Sequence, residues 1–317
     1  MSNLERPTVV QRCGDPATAG GTLQQFAGRK VMLGESSTVL RLLPNRRRST
    51  AGAWCFADHF GPEEVDTGRG MWVPPHPHAG LQTVTWLIAG EVRHRDSLGT
   101  EQLIRPGQLN LMTAGRGVTH SEESPVPRSA RLHGVQLWLA LPRASADVEP
   151  SFEHLPALPR VPVGELGVTV LVGEIAGTAS PARTYSPVVG AEVVAAAGAA
   201  GVLPLPAGFE HAVFAVDGLA SVDGVDLAPG TLLYAGQGRT SMAISAAVDA
   251  RLIVLGGRPL GEQFIMWWNF VAHSAEEIAA ARADWERGHP RFGDVHGFDG
   301  DRLAAPPLPP GRLRPRG

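Results

Sequence analysis

Two cysteines in the whole chain, Cys13 and Cys55, are too few for a disulfide framework and suit a reducing compartment. Charge excess is also missing: a net charge of −3 leaves no electrostatic footprint for nucleic acid. Among the 28 basic residues the sole lysine is Lys30, a skew that reads as genome base composition rather than a binding surface. No apolar run is long enough for a bilayer. The longest, Val193 to Leu203, is Ala/Gly-rich and is followed by Pro204 and Pro206. The opening residues MSNLERPTVV hold no apolar segment of the kind that marks secretion. These absences together predict a soluble, cytoplasmic protein with neither a membrane nor a nucleic-acid partner.

What is present is turn chemistry. The 38 glycines and 27 prolines, set against 6% aromatics, favour short strands and tight turns over long helices. TVTWLI (83–88) ends at the turn Ala89-Gly90, EQLI at Pro106-Gly107, and QLNLM at Ala114-Gly115-Arg116-Gly117. VQLWLALP (135–142) places Val135, Leu137, Leu139 and Leu141 on one face, the alternation of a strand. An all-β protein of small antiparallel barrels or sandwiches follows.

A length of 317 residues suggests two domains. IAGEV…RPGQLNLMTAGRG (88–117) is echoed by VDGLASVDGVDLAPGTLLYAGQG (216–238), which points to a duplicated barrel. The expected divisions are an N-terminal barrel over 1–145, a proline-rich linker over 146–162, a second barrel over 163–262, and a C-terminal segment over 263–317. In that last segment Ser274 and Glu277 form a capping box for a short helix. Ile278, Ala281 and Trp285 supply its apolar stripe and Gly288 its stop. The tail AAPPLPPGRLRPRG is expected to be mobile and to take no part in chemistry.

The chemistry lies in two short pairs. PPHPHAGLQTVTWLIAG (74–90) opens with His76 and His78, and AGRGVTHSEES carries His120 and Glu122. Residues i and i+2 of a strand point to one side, so each pair presents two donors together. If the two strands face each other, three imidazoles and a carboxylate converge. Such a set holds Zn²⁺ tetrahedrally, or a non-haem Fe(II) octahedrally with two positions open to substrate and O₂. The lack of soft ligands argues against Cu(I) and iron–sulfur clusters.

HPHAGLQTVTWLIAGEVRHRDSLG followed by MTAGRGVTHSEES resembles the signature of the pirin family of the cupin superfamily. The likeness runs along most of 54–142, including FADHFGP, and continues more weakly to GGRPLGEQF (256–264). It implies a bicupin, two jelly-roll-like cupin barrels packed together with metal only in the first. By position the family's ligands fall on His76, His78, His120 and Glu122. Iron is the metal the resemblance implies, so Fe(II) is the expected cofactor, with Zn, Mn, Ni, Co and Cu as alternatives.

Bacterial pirins are similar to quercetin 2,3-dioxygenases, while a eukaryotic member is known as a nuclear co-regulator. The expectation is therefore an iron dioxygenase taking a flavonol-like aromatic substrate and O₂, with Glu122 as proton-abstracting base. The alternative is a non-catalytic, iron-dependent redox sensor acting through a protein partner. A hydrolytic zinc site ranks last, because Glu122 would fill the position a catalytic zinc keeps for water.

Other residues carry weaker signals. Gln82 stands where many cupins have glutamate, either as a hydrogen-bonding group near the ligands or as a solvated strand residue. His94 and Asp96 are spaced to orient a ligand imidazole, although a polar cluster at a strand end is the simpler reading. Trp72, Met112 and Trp138 are candidate pocket walls. His59, His133 and His273 are unpaired in sequence and are expected to play no part at the site, and Cys55 reads as a buried, inert thiol. Aligning Gly218 with Gly90 sets His211 opposite Thr83, so the second barrel is expected to bind no metal.

Overall fold

The computed structural model describes residues 9–12, 23–33, 37–65, 68–311 and 313; Cys13 lies outside them. Two barrels are each built from one seven-stranded and one four-stranded antiparallel sheet. In the first, Ser151–Leu155, Leu109–Thr113, Leu81–Ala89, Arg131–Ala140, Trp54–Glu64, Ser37–Leu43 and Arg29–Leu33 form the large sheet in that spatial order. Trp72–His78, Val118–Glu123, Val92–Asp96 and Glu101–Ile104 form the small one. The second barrel repeats this plan, with Gln24–Ala27, Thr231–Ala235, Glu210–Asp217, Ala250–Gly257, Val188–Ala195, Leu166–Val172 and Arg160–Val163 in its large sheet.

The edge strands cross over. Gln24–Ala27 precedes the first barrel yet pairs with Thr231–Ala235 of the second. Ser151–Leu155 pairs with Leu109–Thr113 of the first. The stretch 146–162, expected as a linker, therefore contains a strand of the first barrel, and 1–145 contributes a strand to the other one.

The large sheets pack face to face, and this explains their apolar sequences. Along Leu81–Ala89, Val84 and Trp86 point toward the other barrel, whereas Leu81 and Leu87 point into their own. A strand buried on both sides reads as a nearly continuous apolar run. Val135, Leu137 and Leu139 share the inter-barrel face, as their alternation predicts. Trp54 donates from Nε1 to the Val189 and Gly256 carbonyls at 3.0 and 3.1 Å, and Trp86 donates to the Glu192 carboxylate at 3.0 Å. Full burial of such a side chain contributes up to about 3 kcal/mol. A Cβ on Gly190 would come within 2.9 Å of the Trp54 ring, so glycine lets the sheets close.

The C-terminal segment belongs to the first barrel's surroundings. A hairpin of Gln263–Trp267 and Phe270–Ala272 leads to the helix Ala275–Glu286. The Ser274 hydroxyl accepts from the Glu277 amide at 3.1 Å, while the Glu277 carboxylate accepts from the His273 amide at 2.7 Å. Ile278, Ala281 and Trp285 are buried, as their spacing predicts.

Beyond the helix, the chain crosses the small sheet of the first barrel. Gly293 accepts from the Thr119 hydroxyl at 3.2 Å, Phe298 packs against Trp72, and the Leu303 amide donates to the Pro75 carbonyl at 2.8 Å. The start of the tail, expected to be mobile, is held too. Ala305 donates to Glu286 at 2.8 Å, and Pro306 accepts from Arg282 at 2.7 Å. No helix among the described residues is long and apolar enough to cross a membrane.

Candidate metal centre

Trp72–His78 and Val118–Glu123 run antiparallel, with His120 opposite His76 and Val118 opposite His78. Directly opposed residues share a face, so all three imidazoles project to one side. Each is at most 1% exposed, and one nitrogen from each lies within 4.8 Å of the others. It is the only such group of three or more among the described residues.

The two nitrogens of each ring are used differently. Nδ1 of His76 meets the Pro74 carbonyl at 2.8 Å, Nδ1 of His78 the Asn269 carbonyl at 3.1 Å, and Nδ1 of His120 the Nδ1 of His94 at 3.2 Å. A carbonyl only accepts, so His76 and His78 carry their protons on Nδ1 and keep a lone pair on Nε2. Nε2 of all three rings is buried and has no hydrogen-bond partner. Burial pushes all three rings well below the ordinary histidine range, and His76 further depresses His78 and His120. Three neutral lone pairs left unsatisfied would cost roughly 1–3 kcal/mol each. A divalent transition ion is the group that fits: it accepts all three and favours neutral imidazole.

An irregularity in the pairing shapes the rest. Register shifts between His120 and Glu122, so Glu122 opposes Val73 and Glu123 opposes Trp72. The shift places Trp72 outside, against Phe298 and under the Arg69 guanidinium, and removes it from the expected pocket wall. Glu122 is buried, but it falls outside the three-nitrogen group that it was expected to complete. Trp138 does reach the site, edge-on to His78 with ring centroids 5.0 Å apart. Phe56 stacks on its other side at 4.0 Å, and Met112 packs in the same buried cluster.

Gln82 is not solvated, and its side-chain donor goes to none of the three histidines. It is buried between the barrels, donating to the Thr113 hydroxyl at 2.9 Å and the Arg183 carbonyl at 3.0 Å. Cys55 is buried, with its thiol 3.6 Å from the Trp138 carbonyl. His59 and His133 are not isolated, since their Nε2 atoms lie 2.8 Å apart. Burial, and then His133, push His59 down to about 4. Their sequence separation of 74 gave no hint of this contact.

Sequence reasoning also missed the Asn269 carbonyl, which no local pattern reveals. The spacing of His94 and Asp96 offered the orienting of a ligand imidazole beside the simpler reading of a strand-end polar cluster, and His94 does meet His120. Burial alone would raise the Asp96 carboxyl, yet hydrogen bonds from His94 and the Thr100 amide hold it below its usual range. In the second barrel the matching strands Ala200–Pro204 and Ser241–Ala246 set Val202 opposite Ala243 and Leu203 opposite Met242, without a histidine or carboxylate. His211 is fully buried and neither ring nitrogen finds a protein partner; burial, then Arg239, push it down to about 4.

Comparison with known proteins agrees with this architecture. The family model described as Pirin matches residues 36–139, and that of the Pirin C-terminal cupin domain matches 191–293. A Pseudomonas aeruginosa protein provisionally named quercetin 2,3-dioxygenase is 45% identical over 98% of both chains. A Caulobacter vibrioides pirin-like protein is 37% identical over 86% of this chain and 96% of its own. The crystal structure of a quercetin 2,3-dioxygenase from Acinetobacter baumannii superposes with a TM-score of 0.88 at 41% identity, covering 91% of this chain and 96% of that one.

Proposed function

The chain belongs to the pirin family, and from that premise we propose that it is an Fe(II)-dependent dioxygenase of the quercetin 2,3-dioxygenase type, acting on a flavonol-like aromatic with O₂. The observation that carries the reading is the set of three buried Nε2 lone pairs with no protein partner. Similarity to proteins named for that activity supports the choice of substrate class.

In this reading His76, His78 and His120 hold the ion through Nε2. Once bound, the ion supplies a Lewis-acidic seat for an enolate oxygen and a site for O₂. Glu122, on the same strand two residues beyond His120, is the carboxylate donor and takes the proton from the substrate hydroxyl. Because it lies outside the histidine group, a change of its side-chain rotamer is part of the proposal. Trp138, packed against His78, and Met112 in the same buried cluster form an apolar backing that excludes water from the site.

The test is O₂ uptake with quercetin by protein loaded anaerobically with Fe(II), alongside Zn, Mn, Ni, Co and Cu forms. Uptake and carbon monoxide release should require the metal, and His120→Ala should abolish both together with iron binding. Iron retained at full stoichiometry with no turnover of any flavonol would leave the redox-sensor reading in its place. Undiminished turnover by an iron-free variant would overturn the mechanism.

A further inference from the structure

Beyond the three metal-facing histidines, a fourth buried histidine touches the centre from behind. His94 lies on Val92–Asp96, the strand that pairs with Val118–Glu123 on the side away from His76 and His78. Its Nδ1 is 3.2 Å from Nδ1 of His120, and its Nε2 is 3.0 Å from an Asp96 carboxylate oxygen. The other Asp96 oxygen accepts from the Leu98 and Thr100 amides at 2.9 and 3.0 Å, so the carboxylate is clamped by the turn that follows it. Phe152, from the edge strand Ser151–Leu155, stacks on the His94 ring at 4.5 Å and an interplanar angle of 22°.

With His94 neutral, proton bookkeeping along this row has one consistent solution. An ionised carboxylate only accepts, so His94 donates from Nε2–H to Asp96. A neutral His94 then has a lone pair on Nδ1. Two facing Nδ1 atoms need one proton between them, so His120 supplies it, and its own lone pair is left on Nε2. That is the nitrogen facing the other two free ones.

We propose that His94, oriented by Asp96, is a positioning residue that locks His120 in the tautomer able to bind the ion. The proposal rests on the metal-site reading above. His76 and His78 are fixed by backbone carbonyls, which no side-chain substitution removes. His120 alone depends on a side chain for the same service, so the centre has one genetically removable brace.

The experiment uses the full-length protein and three variants. His94→Phe keeps a flat ring against Phe152 but removes the acceptor; His94→Asn keeps an acceptor near the Nδ1 position; Asp96→Asn removes the charge that sets the His94 tautomer. Long-range ¹H–¹⁵N correlation on the metal-free protein reads the His120 tautomer directly. Anaerobic competition against a chromophoric chelator reads the Co(II) dissociation constant, and urea unfolding checks that each variant is folded.

In the wild type, His120 should be protonated on Nδ1. His94→Phe should shift it toward protonation on Nε2 and weaken Co(II) binding by about 10–100-fold. Asp96→Asn should move both readouts the same way, and His94→Asn should recover most of each. Folded His94→Phe protein with wild-type affinity and an unchanged His120 tautomer would overturn the role of His94 and leave the metal site standing. Wild-type protein that takes up no Co(II) would instead remove the metal reading itself.

Discussion

Two pairs spaced by two, His76 with His78 and His120 with Glu122, drew the candidate set from the sequence, because a strand's side-chain period makes i and i+2 neighbours. The structure brings its three histidines together. That spacing could not show where each Nδ1 goes, since Asn269 lies 191 residues from its partner. Trp138 is wedged between Phe56 and His78. Trp138→Ala should therefore cost about 3–5 kcal/mol in urea unfolding, and it should weaken metal retention as well, because His78 loses its wall. His211 predicts an acid response. Its pKa falls from 6.5 to about 4 on folding, so the unfolded chain binds the proton more tightly. Its contribution is whole above pH 6.5 and is lost as pH falls toward 4, at up to about 1.4 kcal/mol per pH unit. His211→Leu should flatten the stability curve in that window relative to wild type, measured by unfolding between pH 7 and 4.5.

At the scale of elements, strands with alternating or continuous apolar residues were legible, and so was the helix with its Ser274 cap. Ser151–Leu155 was not. An edge strand buries little, its residues are half-exposed, and prolines follow it, so it carries neither alternation nor a long apolar run. The turn between the metal-site strand and Leu81–Ala89 sets a sharper constraint. Gly80 has φ +72°, and a Cβ there would sit 2.0 Å from the Val271 carbonyl oxygen. Gly80→Ala faces both a left-handed backbone and a clash with fixed backbone. It should lose at least about 2 kcal/mol, and it should reduce bound metal, because Val271 belongs to the hairpin whose Asn269 braces His78. Denaturant titration and metal analysis of the same preparation check both.

At the scale of the molecule, the duplication in sequence correctly announced two barrels, but the exchange of edge strands left no trace in either half read alone. A chain cut after residue 145 lacks Ser151–Leu155, the Asn269 carbonyl and the segment crossing the small sheet. It should bind no Co(II), and co-expression with residues 146–317 should restore binding; metal analysis of the purified fragments decides. The same arrangement bears on how the protein is made. At roughly 5–20 residues per second, a ribosome needs about 10–40 s to pass from His78 to Asn269. Throughout that interval the nascent chain carries its histidines without the carbonyl that orients one of them. Metal insertion into a finished pocket is thus an event of the released or nearly released polypeptide, and pulse-labelled ribosome-bound chains shorter than 269 residues should be recovered without the ion.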